Sequence, residues 1–212
     1  MKRKFLILAA FSIFLNYTSC KNYKVEASII SIIPTNTGNT WTYVDSIFNT
    51  GISVDTSISK VGDSVNINGK KGFNIYPTYN PHNISFIFCN DKEGNYLILG
   101  GYSDRDSLFI TSIKFKRNAK KGETWYFNNI SINMETAMFD SSSVMMTCLN
   151  EDTLIQTPNG SYQCKVYSYS PDNERNVFKQ YCSEGLGLVR TEAYFDNLLI
   201  NSKTLIDYKI IR

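Results

Sequence analysis

The chain has 212 residues, 42% of them apolar and 14% aromatic, with 22 Lys and Arg against 19 Asp and Glu. Three of those bases, Lys2, Arg3 and Lys4, open the chain, and without them the balance is 19 to 19; the body therefore carries no electrostatic footprint for nucleic acid. The apolar content excludes a disordered chain. The single histidine, His82, excludes a His-rich zinc site or a histidine relay.

Residues 1–19 read as a secretory signal: a basic start, an apolar run from Phe5 to Leu15, then small polar residues before Cys20. The apolar run is too short for a comfortable permanent span, and no later stretch approaches 18 apolar residues. Residues 20–33 read as a tether and residues 34–212 as a single β domain. Pro34 to Asn39 is turn material, and Trp41-Thr42-Tyr43-Val44 opens the domain. Alternating stretches follow at Ile52–Ile58, Ser64–Asn68 and Phe73–Tyr76, with Gly69-Lys70-Lys71-Gly72 as a turn. Ile84–Cys89 and Tyr96–Leu99 flank the hairpin loop Asn90–Asn95, and Ser107–Phe115 is a longer strand. Ile130–Met134 keeps a clean period of two, and Glu135–Phe139 is the one short helical-turn candidate. Asn159-Gly160 between two β runs signals a hairpin. Phe178–Cys182 leads through Gly185-Leu186-Gly187 to the strand Leu188–Phe195, the turn Asp196-Asn197 and the last strands. Short strands with small turns and no sustained helical period define an all-β, antiparallel fold. One polar face suggests a strongly curved sheet or half-open barrel, with a two-sheet sandwich as the alternative.

One internal echo stands out. Gly38-Asn39-Thr40-Trp41-Thr42-Tyr43 is matched by Gly122-Glu123-Thr124-Trp125-Tyr126-Phe127, 84 residues later. Either a unit is duplicated or Trp41 and Trp125 do the same anchoring work twice. The functional alternative is an aromatic platform for a sugar or lipid.

Beyond Cys20 there are four cysteines, Cys89, Cys148, Cys164 and Cys182. An exported chain permits disulfides, and four cysteines allow three pairings. Cys164 and Cys182 fall in nearby strands, which leaves Cys89 with Cys148; four buried free thiols are the other reading.

The end of the leader resembles a bacterial lipobox, with Ser19 before Cys20 and Tyr17 departing from the usual aliphatic residue. The opening Pro34, Gly38, Trp41, Tyr43, the hairpin Thr157-Pro158-Asn159-Gly160-Ser161-Tyr162-Gln163-Cys164 and the turn Gly185-Leu186-Gly187-Leu188-Val189 together resemble a family of Bacteroidota lipoproteins of unknown function. The resemblance implies an all-β exported protein whose Cys20 carries the lipid, and it implies no activity. Three acyl chains on Cys20 would suffice for stable anchoring in the outer membrane. Lys21-Asn22-Tyr23-Lys24 lacks the acidic residues that resemble a surface-export tag, so the periplasmic face is favoured. Cys182 stands where the family more often has a small residue, which supports a Cys164–Cys182 bridge in this chain.

No catalytic set, cofactor motif or metal motif is evident. His82 lies in a turn-like stretch without a nucleophile elbow. Asp104 and Asp106, or Glu184 and Glu192, are the carboxylate pairs a glycan hydrolase could use. The glycine turn lacks the third glycine and the helix of a dinucleotide loop. Lys114, Lys116, Arg117, Lys120 and Lys121 form the densest basic run, read as a solvated strand end. The expectation is a non-catalytic envelope lipoprotein. Its partners would be the membrane through the lipid, and a hydrophobic small molecule, a glycan or an envelope protein. A structural or interaction module is the alternative, with a hydrolase behind it.

Overall fold

The structure, a computed structural model, describes residues 30–48, 53–76, 82–133, 135–171 and 175–211. The leader and Cys20 lie outside the described residues. Twelve strands follow one another: β1 (Thr40–Ile47), β2 (Ser53–Ile67), β3 (Lys70–Tyr76), β4 (Ser85–Asn90), β5 (Tyr96–Tyr102), β6 (Ser107–Phe115), β7 (Thr124–Asn133), β8 (Met138–Thr157), β9 (Gly160–Tyr169), β10 (Asn176–Ser183), β11 (Gly187–Phe195) and β12 (Leu198–Lys209). There is no helix among the described residues. Residues 135–137 form the β7–β8 turn in place of the helical turn read from the sequence.

All twelve strands belong to one antiparallel sheet, in the order β6-β5-β4-β3-β2-β1-β12-β11-β10-β9-β8-β7. This is two six-stranded meanders joined through β1 and β12. The two edges, β6 and β7, come back to face each other. There the indole N–H of Trp125 donates to the Ile113 carbonyl (3.1 Å), and the Asn128 amide donates to Ser112 Oγ (2.8 Å). The result is a nearly closed barrel, the half-open form of the two sequence readings, and not a two-sheet sandwich.

The internal echo marks the first strand of each meander. Gly38 and Gly122 take the same left-handed conformation, φ 90° and 84°, which glycine adopts without a Cβ clash. Each donates its N–H to the second strand of its meander, Gly38 to Val61 and Gly122 to Cys148, at 2.9 and 2.8 Å. Val61 and Cys148 return their own N–H groups to Asn39 and Glu123, both at 2.9 Å. The two halves thus share a start geometry as well as the Gly, Thr and Trp of a six-residue echo.

Turn chemistry fixes the hairpins. Asn68 and Gly69 are the central residues between β2 and β3, both at positive φ (51° and 79°), as a tight primed turn requires. The turn therefore falls one residue earlier than the Gly69–Gly72 reading, and Lys70 to Gly72 belong to β3. At β8–β9 the loop residues are Pro158 and Asn159, with Thr157 paired to Gly160. Asp196 and Asn197, also at positive φ, turn β11 into β12.

The barrel interior is the main core. A run of aromatic rings crosses it: Phe88 on Tyr96 (5.0 Å), Tyr96 on Phe115 (6.0 Å), Phe115 on Tyr167 (4.9 Å) and Tyr167 against Trp125 (6.0 Å). A smaller cluster, Ile87, Cys89, Leu97 and Leu99, lies on the opposite face of β4 and β5. The segment read as tether enters this architecture. Ile32 and Ile33 are buried in the main core. They are held by Ile32 N–H to the Gly94 carbonyl, by the Gly185 N–H to the Ser31 carbonyl and by Asn90 Nδ2 to the Ile33 carbonyl. The packed body therefore begins at least two residues before Pro34.

Candidate functional site in the barrel interior

The two tryptophans anchor the core and do not form an exposed platform. Trp41 is 3% and Trp125 9% exposed. Trp41 Nε1 donates to the Leu186 carbonyl at 2.7 Å, and the Tyr43 hydroxyl donates to the Leu188 carbonyl at 3.0 Å. The β1 opening thus grips the Gly185–Gly187 turn from inside the barrel. Gly187 has φ 102°, and a Cβ there would lie 3.2 Å from Ile33 Cγ2. The opening and the glycine turn, far apart in sequence, meet at one place.

Beside that clamp the interior is not completely filled. A cavity of about 150 Å³ is lined by Ile33, Trp41, Tyr43, Phe88, Tyr96 and Phe115, together with Ser59, Ile75, Lys114, Gln180 and Leu188. Its wall is mostly aromatic and aliphatic. Ser59, Ile75, Lys114 and Leu188 are partly accessible to solvent. Burial raises the Tyr43 and Tyr96 hydroxyls well above the usual tyrosine range. Neither ionises near neutral pH.

Lys114 reaches this wall through a β-bulge. Tyr96 pairs with Phe115 and Leu97 with Ile113, which leaves Lys114 as the extra residue of β6. Ile113 packs on the outer cluster, Phe115 lies in the inner core, and Lys114 lines the cavity beside it. Its ammonium stands 5.6 Å from the Phe115 ring centre. Burial pushes its pKa down to about 8, with Cys182 acting weakly in the other direction. Strict alternation groups Lys114 with Lys116, away from Ile113 and Phe115, so the sequence could not place it. A bulge is the device that re-aims such a side chain.

Three of the other four members of the basic run are paired with carboxylates at the surface, as a solvated strand end would be. Lys116 pairs with Glu123 (2.9 Å), Arg117 with Glu184 (3.3 Å) and Lys120 with Glu151 (3.1 Å). The acidic candidates are engaged structurally. Asp106 accepts the Phe139 and Ser107 N–H groups, and Asp104 lies 3.8 Å from His82. Glu192 accepts the Tyr181 and Tyr194 hydroxyls at 2.7 and 2.8 Å. The Asp91 carboxylate is taken up by Glu93 and Asn95 N–H groups within its own loop. No three of His, Cys, Asp and Glu come together to hold a metal among the described residues.

The four described cysteines are unbridged and buried. Cys89 belongs to the outer cluster and Cys148 to the inner core, so the structure does not bring that pair together. Cys164 and Cys182 lie on the adjacent strands β9 and β10, close enough for a Cys164 thiolate to disfavour that of Cys182. Burial pushes Cys164 up to about 12 and Cys182 higher still.

No protein-family model matches the chain, and no curated protein matches it. Two solved structures are similar to it. One is a "putative lipoprotein" from Parabacteroides distasonis, 15% identical, with 85% of this chain and 99% of that chain covered and a TM-score of 0.48. The other is a "putative exported protein with YmcC-like fold" from Bacteroides fragilis, 12% identical, with 85% and 100% covered and a TM-score of 0.41.

Proposed function

We propose that the protein is a non-catalytic envelope lipoprotein, anchored in the outer membrane through lipid on Cys20 and facing the periplasm, whose barrel binds a small hydrophobic ligand. The leader and the Cys20 context support the anchoring. One observation carries the binding: the aromatic-walled cavity of about 150 Å³ inside an otherwise packed barrel. Apolar cavities of that volume accept a body of about six heavy atoms, such as a benzene ring. The mostly aromatic and aliphatic wall favours an apolar body over a hydroxylated sugar ring. The test is native mass spectrometry of the full lipidated protein, extracted gently from its own membrane. An extra mass lost on unfolding supports the reading; a bare protein that takes up no small apolar compound contradicts it.

The second reading, an interaction module, is favoured by the β6–β7 seam. A groove runs along it past Ser112, Trp125 and Asn128, and Tyr126 on its rim is 73% exposed. Co-purification of a stoichiometric envelope protein lost on Tyr126→Ala would favour this reading.

A further inference from the structure

We propose that the cavity is built for a small neutral compound of the phenol class, an apolar ring with one hydroxyl that donates to Gln180. This rests on the small-ligand reading above and names the chemistry of the ligand.

Gln180 is set into the wall by plain strand geometry. It stands opposite Tyr167 of β9, and paired residues of antiparallel strands share a face. Tyr167 is fully buried in the inner core. Gln180 is 8% exposed and lines the cavity, and its Oε1 is buried with no hydrogen-bond partner. Two donors of the same wall are committed elsewhere, Trp41 to the Leu186 carbonyl and Tyr43 to the Leu188 carbonyl.

Three further side chains carry an unpartnered buried atom: Asn90 Oδ1, Arg117 Nε and Arg190 Nε. None of the three lines the cavity, and each is held through its other atoms. Asn90 Nδ2 donates to the Ile33 carbonyl and Thr35 Oγ1, Arg117 to Glu184, and Arg190 to the Gln156 carbonyl. Gln180 has no such hold among the described residues. Its acceptor is the one of the four that opens onto unfilled space, and a buried polar group left open beside such space marks a missing partner.

The chemistry of that atom sets the class. An acceptor needs a donor, so a carboxylate does not complete it. A neutral hydroxyl does, and it brings little polar surface to desolvate against an apolar wall. The rings of Trp41, Tyr43, Phe88 and Tyr96 on that wall suit a flat aromatic body.

The probes are phenol and toluene, nearly one shape, with a hydroxyl in one where the other has a methyl. Each is titrated into the full lipidated protein in detergent at pH 7, with partition into empty micelles subtracted. Toluene is the more apolar, so a cavity without a polar requirement prefers it. The unmodified protein binds phenol at least as tightly as toluene. Gln180→Leu keeps toluene and weakens phenol about tenfold, as expected for the loss of one buried hydrogen bond. The order of the two probes in the unmodified protein decides the matter if Gln180→Leu fails to fold. Tighter toluene in the unmodified protein, or phenol binding unchanged by Gln180→Leu, overturns the donor site and leaves the small-ligand reading standing. Binding of neither overturns both, the cavity then holding water only.

Discussion

Trp41 Nε1 reaches across 145 residues of sequence to donate to the Leu186 carbonyl at 2.7 Å. This bond ties the first strand of the first meander to the β10–β11 turn and forms part of the cavity wall. Removing the donor leaves a buried carbonyl unsatisfied, at a cost of about 1–3 kcal/mol. Trp41→Phe should therefore lower the unfolding free energy in urea by that amount. Trp125→Phe breaks the corresponding bond to Ile113 at the seam and should also destabilise.

Gly187 and Gly69 separate backbone strain from packing. Both have positive φ, 102° and 79°, but a Cβ at Gly69 meets nothing within 4 Å whereas one at Gly187 meets Ile33. Gly69→Ala should cost about 1–2 kcal/mol, the left-handed penalty alone. Gly187→Ala should cost more, because the buried Ile33 segment must also shift. Equal losses in parallel denaturation curves would show that Ile33 does not rest on the turn.

Lys114 gives a stability profile with a definite sign. Its folded pKa of about 8 is below the ordinary 10.5. Below pH 8 the group is charged in both states, and the folded protein bears the full desolvation penalty. Between about pH 8 and 10.5 the folded protein loses the proton while the unfolded chain keeps it, so stability rises with pH. Lys114→Met should stabilise the unliganded protein at pH 7 by up to about 3 kcal/mol, with the gain shrinking above pH 8. A variant less stable than the parent at pH 7, by thermal melts across that range, would contradict this.

The buried thiols should be inert. Burial raises all four described cysteines, and thiolate, not thiol, is alkylated. Iodoacetamide at pH 8 should leave the native protein unmodified and, after unfolding without reductant, label all four. Labelling of only two would place a bridge, and Cys164–Cys182 is the pair that adjacent strands allow.

Much of the fold was legible because a β-strand alternates and a turn shows its chemistry. Ile130 to Asn133, Asp196-Asn197 and the hairpin at Pro158–Gly160 announced themselves locally. The Asn68-Gly69 turn carries an equally strong local signal, and it starts one residue before the glycine-flanked Gly69–Gly72 stretch. Sheet order and closure were not legible, since they depend on β1 pairing with β12 far away in sequence. The duplicated start was visible as a six-residue echo, and only the matching Gly38 and Gly122 geometry gave it meaning. The candidate site was hidden for two physical reasons. A single bulge turned Lys114 inward against its alternation, and Ile33, which reads as tether, is held in place by backbone bonds that no local pattern encodes.

The most direct measurement is methyl NMR of the full lipidated protein during titration with benzene. Ile33, Ile75 and Leu188 line the cavity, while Ile87 and Leu99 lie on the opposite face of the sheet. Saturable shifts of the first three, with Ile87 and Leu99 unmoved, are the expected result. Unmoved methyls at Ile33, Ile75 and Leu188 at saturating probe, or equal shifts in both clusters, would contradict a ligand site inside the barrel.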